Sequence, residues 1–260
     1  GLERHHRQQA GAVQPLAGGV RIVAVEGHAG AEICVGYDRR FLSKESAHWA
    51  CEVLAGYGFR PYVINRSSPT PLIMFYVMKH DYQYGMMITA SHNPAIYNGV
   101  KVFTYGGRDA DEKQTMEIEQ FINEVTDLPV NEMDYQKALE AGLIEEIYPL
   151  NEYLDSIIAA VDMEAIREAG LRVALDPMYG VSETSIKTVL MTARCEVETI
   201  HERHDTLFGG KLPAPTADTL RALQNYVLDR KCDMGIATDG DADRIGVIDE
   251  KGNFLHPNDI

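Results

Sequence analysis

The sequence predicts an α/β protein made of two similar halves. Short apolar runs alternate with helical stretches from Ala31 onward, and the cycle restarts near Glu152 after a polar, acidic interval. No low-complexity segment and no fixed-period repeat interrupts this alternation.

In the first half, Ile33-Cys34-Val35-Gly36-Tyr37 reads as a strand, with Asp38-Arg39-Arg40 in the loop at its C-terminal end. Ser43-Lys44-Glu45-Ser46 offers helix-capping chemistry before the helical spacing of Ala47 to Leu54, which Gly56 and Gly58 end. Tyr62-Val63-Ile64 is the second strand, and Pro69-Thr70-Pro71 opens a helix through Met78. Met86 to Thr89 and Val100 to Phe103 are the third and fourth strands. A charged amphipathic helix covers Asp111 to Val125, with Met116, Ile118, Phe121, Ile122 and Val125 on its apolar side. Asp127 to Glu146 reads as a polar stretch, and Tyr148-Pro149-Leu150 as a boundary dividing residues 1–149 from 150–260.

The second half begins with a helix at Glu152 to Ala160. Leu171 to Asp176 is its first strand, and Ser182 to Met191 the helix that follows. Val197 to Ile200 is the next strand, Thr216 caps a helix through Leu228, and Asp233 to Ala237 is a third strand. Ile245 to Asp249 returns as a strand before the turn Lys251-Gly252-Asn253.

An apolar fraction of 45% with 24% charged residues is that of a soluble globular protein. The net charge of −15 argues against a nucleic-acid backbone or an anionic membrane as the main partner. No apolar run approaches membrane-spanning length, and the first residues carry no signal-peptide core. Cys34, Cys51, Cys195 and Cys232 form no C-x-x-C pair, and Cys34 lies in an apolar strand, so buried free thiols are expected. A reducing compartment, the cytoplasm, follows as the expectation. His5 and His6 read as part of a solvated terminus.

Two stretches carry chemistry. Ile88-Thr89-Ala90-Ser91-His92-Asn93-Pro94 sets a serine on a turn at a strand end. Ser91 can be a nucleophile, a phosphate carrier or a turn residue. No G-x-S-x-G surrounds it, and neighbours in an extended segment point opposite ways, which removes His92 as a triad base. The second stretch is Thr238-Asp239-Gly240-Asp241-Ala242-Asp243-Arg244. Three alternating carboxylates are hard oxygen ligands suited to Mg²⁺ or Ca²⁺. An EF-hand is disfavoured by Arg244 at its glycine position and by flanking strands, and a glycosyltransferase D-x-D loop leaves Ser91 without a role. A phosphoryl group on Ser91 would need that cation and a proton partner, for which Lys101 is a candidate if neighbouring charge lowers its pKa. His201-Glu202-Arg203-His204 lacks the zinc-protease spacing and reads as a polar loop. Spacing alone gives no role to Phe208-Gly209-Gly210 and Pro213-Ala214-Pro215.

Thr89 to Pro94, followed by Tyr97-Asn98-Gly99-Val100-Lys101, closely resembles the phosphoserine loop of the α-D-phosphohexomutases. Asp239 to Arg244 resembles their magnesium loop. Gly36 to Arg40, Phe208 to Gly210 with Pro213 to Pro215, and Gly235-Ile236-Ala237 extend the likeness from about Ile33 to the end of the sequence. Within the family the chain looks like a bacterial phosphoglucomutase/phosphomannomutase.

The resemblance implies two consecutive three-layer α/β/α domains with mixed sheets, the family's domains I and II. It makes Ser91 the phosphorylated serine, and Asp239, Asp241 and Asp243 the ligands of one Mg²⁺ together with the Ser91 phosphate. Lys101 becomes the general acid/base, His92 an aid to proton transfer, and Arg244 and Arg40 contacts for the phosphate of a hexose bisphosphate. Glucose 1,6-bisphosphate or a similar compound is the implied activator and intermediate. The implied partner is a hexose phosphate whose phosphate moves between the 1- and 6-hydroxyls, with no nucleic acid, no membrane and no prediction of oligomeric state. Two departures accompany it. Residues 1–30 lack the family's glycine-rich strand of the type G-T-x-G-x-R-G, and the sequence stops near the end of the second of four domains. The sugar and distal-phosphate loops belong to the later domains, so this chain alone is expected to show little or no mutase activity. A non-catalytic module that binds metal and phosphosugar is the competing expectation.

Overall fold

The computed structural model describes residues 30–124, 130–255 and 258. The expectations for His5, His6 and Val125 lie outside these residues. The first unit contains β1 (Glu32–Tyr37), α1 (Ser43–Gly56), β2 (Arg60–Ile64), α2 (Thr70–Lys79) and β3 (Tyr84–Ile88). It continues with β4 (Val100–Thr104), β5 (Arg108–Asp109), α3 (Glu112–Glu124), α4 (Tyr135–Glu140) and β6 (Glu145–Ile147). The strand order is β5-β4-β3-β1-β2-β6. Strands β3, β1, β2 and β6 are parallel, while β4 returns antiparallel to β3 and β5 antiparallel to β4.

Both faces of this sheet are covered, because successive side chains of a strand point to opposite sides. Ile33 and Val35 of β1 pack with Ala47, Ala50 and Leu54 of α1 in one cluster. Cys34 between them packs with Leu72, Ile73 and Val77 of α2 in the other.

The second unit repeats the plan with α5 (Leu150–Ala160), α6 (Met163–Ala169), β7 (Arg172–Asp176), α7 (Glu183–Thr192), β8 (Glu196–Thr199), α8 (Arg221–Arg230), β9 (Met234–Thr238), β10 (Ile245–Asp249) and β11 (Phe254–Leu255). Its order is β11-β10-β9-β7-β8, with β8, β7 and β9 parallel and β10 returning antiparallel to β9. Ala174 of β7 packs with Leu223 and Val227 of α8, and Val173 with Ala193 and Cys195 on the opposite face. Two α/β domains with mixed sheets are therefore present, as expected. All four cysteines are free and buried. Among the described residues no helix is long and apolar enough to cross a membrane.

The local expectations omit β5, α6 and β11 and fail in three further places. The stretch read as polar and acidic contains α4 and β6. Asp134 caps α4 by accepting the Lys137 N–H at 3.0 Å, and β6 is an edge strand with Glu145 and Glu146 exposed and only Ile147 buried. Thr216 does not cap α8: it pairs with Thr219 in a separate turn, and the helix starts at Arg221. The Ser43 hydroxyl does not cap α1 but donates to Asp38 at 2.8 Å, and Leu42 takes the cap position with φ 60°.

Candidate active site

The serine stands on the connection between β3 and β4. Thr89 still extends the ladder, donating its N–H to the Gly99 carbonyl at 3.0 Å. Ser91 then takes the left-handed backbone region, with φ 51°. That conformation is unfavourable for a residue with a Cβ and persists only where the surroundings fix it. Here the surroundings are a buried network. The Ser91 N–H donates to Thr89 Oγ1 at 2.9 Å, and Thr89 Oγ1 donates to Asp38 Oδ2 at 2.7 Å.

Arg40 completes the network. Its Nε donates to Asp38 Oδ2 at 3.2 Å, and both side chains are 0% exposed. Nη2 donates to the carbonyls of Ser91 at 2.6 Å and Asn93 at 2.8 Å, and Nη1 to those of Pro94 at 2.9 Å and Tyr97 at 3.1 Å. All five guanidinium donors are thereby used within the protein. In this structure no Arg40 donor is left over, and the side chain shapes the loop. Phe208, also left-handed with φ 51°, lays its ring 5.0 Å from the Arg40 guanidinium.

The carboxylates stand on the connection between β9 and β10. Asp239 is fully buried. Its Oδ1 accepts the N–H groups of Asp243 and Arg244, each at 3.1 Å, and its Oδ2 accepts the Ser91 hydroxyl at 3.0 Å. Asp241 Oδ2 accepts from Thr70 Oγ1 at 2.7 Å and from Lys101 Nζ at 2.8 Å. Lys101 also bonds Asp243 Oδ2 at 2.6 Å. The two loops touch through backbone: a Cβ on Gly240 would meet the Ser91 carbonyl at 2.9 Å.

Electrostatics follow from this crowding. Burial, with Asp241 and Asp243 alongside, pushes Asp239 up to about 7. Burial works the same way on Asp241, but the Lys101 ammonium outweighs it and holds that carboxyl below its ordinary range. Burial alone would lower Lys101, yet Asp241 and Asp243 raise it above a usual lysine. The condition placed on Lys101, a lowered pKa, is therefore not met in this geometry. His92 is lowered by burial and by Arg244, and its Nδ1 lies 3.4 Å from Ser91 Oγ. The left-handed turn at Ser91 brings the two side chains together, where an extended segment would part them.

Asp239, Asp241 and Asp243 each offer a carboxylate oxygen within 4.8 Å of the others. Asp241 Oδ1 is buried and has no hydrogen-bond partner. Three hard oxygens and one orphaned acceptor fit a small divalent cation such as Mg²⁺. The Arg244 side chain is 54% exposed with its Nε 4.0 Å from Asp243, which leaves its guanidinium available at the rim. Sequence reading missed Asp38, Thr70, Thr89 and Phe208 as site residues. Only the Asp38-to-Arg40 spacing hinted at a turn, and the rest depend on contacts between distant segments.

His201 pairs with Asp176 at 3.0 Å, and His204 Nε2 lies 3.0 Å from the Arg39 carbonyl. That loop joins the two units and brings no metal ligands together.

The profile described as phosphoglucomutase/phosphomannomutase, alpha/beta/alpha domain I matches residues 8–128, and that for domain II matches residues 151–252. The chain belongs to the phosphoglucomutase/phosphomannomutase family. A phosphoglucosamine/phosphogalactosamine mutase of Sulfurisphaera tokodaii is 35% identical over 71% of this chain and 40% of its own length. The phosphoglucosamine mutase of Caldanaerobacter subterraneus subsp. tengcongensis is 32% identical over 74% and 41%. The chain thus spans well under half the length of these curated relatives. A Thermus thermophilus structure, provisionally described as a phosphomannomutase, superposes with a TM-score of 0.81 at 29% identity, covering 95% of this chain and 54% of its own. A phosphoglucomutase/phosphomannomutase family protein of Burkholderia thailandensis shares the fold at 21% identity, with a TM-score of 0.76.

Proposed function

We propose that this chain carries the phosphoryl-transfer centre of a phosphohexomutase, with Ser91 as the phosphate carrier. The observation that carries this reading is the hydrogen bond from Ser91 Oγ to Asp239 Oδ2 across the two units, beside Lys101 on Asp241 and Asp243. In such a transfer the bond from Ser91 Oγ to phosphorus breaks as a sugar hydroxyl oxygen bonds to phosphorus. The hydroxyl proton passes to a base, and Oγ leaves carrying the electron pair of the broken bond and takes up one proton from an acid, which restores the Ser91 hydroxyl. In the return step the Ser91 hydroxyl is the nucleophile and loses its own proton. His92 would take that proton, a role supported by its lowered pKa and its 3.4 Å distance from Oγ. Lys101 enters as an ammonium, suited to neutralise phosphate oxygens and to act as an acid. Asp239, Asp241 and Asp243 would hold one Mg²⁺, which when bound offsets the negative charge of the transferring phosphate. Arg244 would add charge at the rim.

The proposed substrate is a hexose phosphate, passing through a hexose 1,6-bisphosphate that also serves as activator. The names of the matched relatives support a glucosamine phosphate ahead of the glucose and mannose phosphates expected from sequence. Intact-mass measurement after exposure to glucose 1,6-bisphosphate or its glucosamine counterpart, with Mg²⁺, tests the reading. One added phosphate, absent in Ser91→Ala, is expected. No adduct with either compound overturns the carrier role and favours a module that only binds metal and phosphosugar.

A further inference from the structure

We infer that Thr70, at the start of α2 in the first unit, is a positioning residue for the cation site of the second unit, orienting Asp241 through two hydrogen bonds. The inference rests on the reading that the aspartate loop holds a divalent cation.

Thr70 is the first residue of α2, between Pro69 and Pro71, and Pro69 provides no side-chain cap. Its backbone N–H is one of the donors that an α-helix leaves without a partner in its first turn. That donor goes to the Asp241 carbonyl at 2.9 Å, and the Thr70 hydroxyl goes to Asp241 Oδ2 at 2.7 Å. One residue of the first unit thus grips both the backbone and the carboxylate of a single loop residue in the second.

The consequence lies in how the two oxygens of Asp241 are divided. Oδ2 is occupied by Thr70 and Lys101, whereas Oδ1 is buried and unpartnered. Thr70 is 2% and Asp241 0% exposed, so water does not compete for these positions. A free carboxylate could rotate and share its donors between both oxygens. Held at Oδ2 from two directions, it keeps Oδ1 as its open acceptor, and the Asp241 carboxylate belongs to the group it forms with Asp239 and Asp243. Hydrogen bonds to a ligating carboxylate fix its orientation, and their loss weakens metal affinity by about 10–100-fold. Lys101 shares its ammonium between Asp241 and Asp243, so without Thr70 the Asp241 carboxylate would be held from one direction only. A helix start with flanking prolines would be enough for a purely local role. The hydroxyl aimed at a carboxylate in the other unit is not explained by one.

Mn²⁺ binding followed by electron paramagnetic resonance on the full chain tests this without any enzymatic readout. The variants are Thr70→Val, Thr70→Ala and Thr70→Ser, with circular dichroism and a metal-free melting midpoint checking each fold. The wild type is expected to bind one Mn²⁺. Valine and alanine should weaken binding by about 10–100-fold, and serine should restore it to within a few-fold of wild type. If the folded alanine or valine variant binds Mn²⁺ as tightly as wild type, the role of Thr70 is overturned and the cation reading stands. If serine fails to restore affinity, the hydroxyl is not the positioning group and the inference is likewise overturned. If the wild type binds no Mn²⁺, both fall.

Discussion

The two functional loops occupy the same place in two copies of one topology, yet they are held in opposite ways. In the first unit Tyr37 pairs with Ile88, which sets Asp38 beside Thr89; in the second, Asp176 pairs with Ala237. Ser91 lies two residues beyond Thr89, and Asp239 two residues beyond Ala237, so hydroxyl and carboxylate are counterparts in register. Asp38 and Asp176 even make the same turn, accepting the N–H of Arg40 at 2.9 Å and of Met178 at 2.8 Å. The connection from β9 to β10 is short and closes on itself, through Asp239 Oδ1 and the N–H groups of Asp243 and Arg244. The connection from β3 to β4 is longer, and its carbonyls are gathered by a side chain from elsewhere, Arg40. A tight hairpin can arrange ligands from its own backbone, while a long loop that must hold a strained serine needs a tertiary clamp.

Removing the clamp should produce the largest difference between the two loops. Arg40→Ala leaves the buried Asp38 carboxylate without its counter-charge and releases four carbonyls, and is expected to cost about 3–5 kcal/mol in urea unfolding. Arg40→Lys should recover little, because one ammonium cannot reproduce a planar fork of five donors. Asp239→Asn should cost markedly less in the absence of metal, since it relieves a cluster of like charge. Equal losses for Arg40→Ala and Asp239→Asn would break the contrast.

The contact between the loops gives the next effect. A Cβ at Gly240 would meet the Ser91 carbonyl at 2.9 Å, which is backbone and cannot swing aside. Gly240→Ala should lower stability by about 1–3 kcal/mol, and phosphate uptake by Ser91 should fall with it. Unchanged uptake at reduced stability would show that the touching backbones do not fix the serine.

The smallest effect is one of pH. Asp239 in the fold sits at about 7, above the ordinary carboxyl value of 3.8. A raised carboxyl contributes stability that is complete below its unfolded value and is lost as pH rises through its folded one. The metal-free chain therefore loses this contribution between about pH 4 and about pH 7, the range in which a cation gains an ionised ligand. The rise in melting midpoint on adding Mg²⁺ should be larger at about pH 8 than at about pH 5.5. An equal rise at both would detach Asp239 from the cation.

Much of this was legible from residues alone because it is periodic or local. The apolar run Ile33-Cys34-Val35 announced a strand, and Pro69-Thr70-Pro71 announced a helix start. The aspartates announced a cation loop by spacing. The segment from Tyr135 to Ile147 escaped notice because a capped six-residue helix and a three-residue edge strand leave no apolar period to read.

By itself the sequence determined the two α/β units, the serine on its turn and the three carboxylates on theirs. These depend on side-chain period, turn chemistry and charge within short windows. Only the tertiary structure decided that Arg40 gathers the carbonyls of the serine loop, that Lys101 is held as a cation, and that Thr70 reaches Asp241. Each of those outcomes depends on which groups remain unsatisfied when distant segments are buried together, and a buried donor or acceptor takes whichever partner the packing brings within reach.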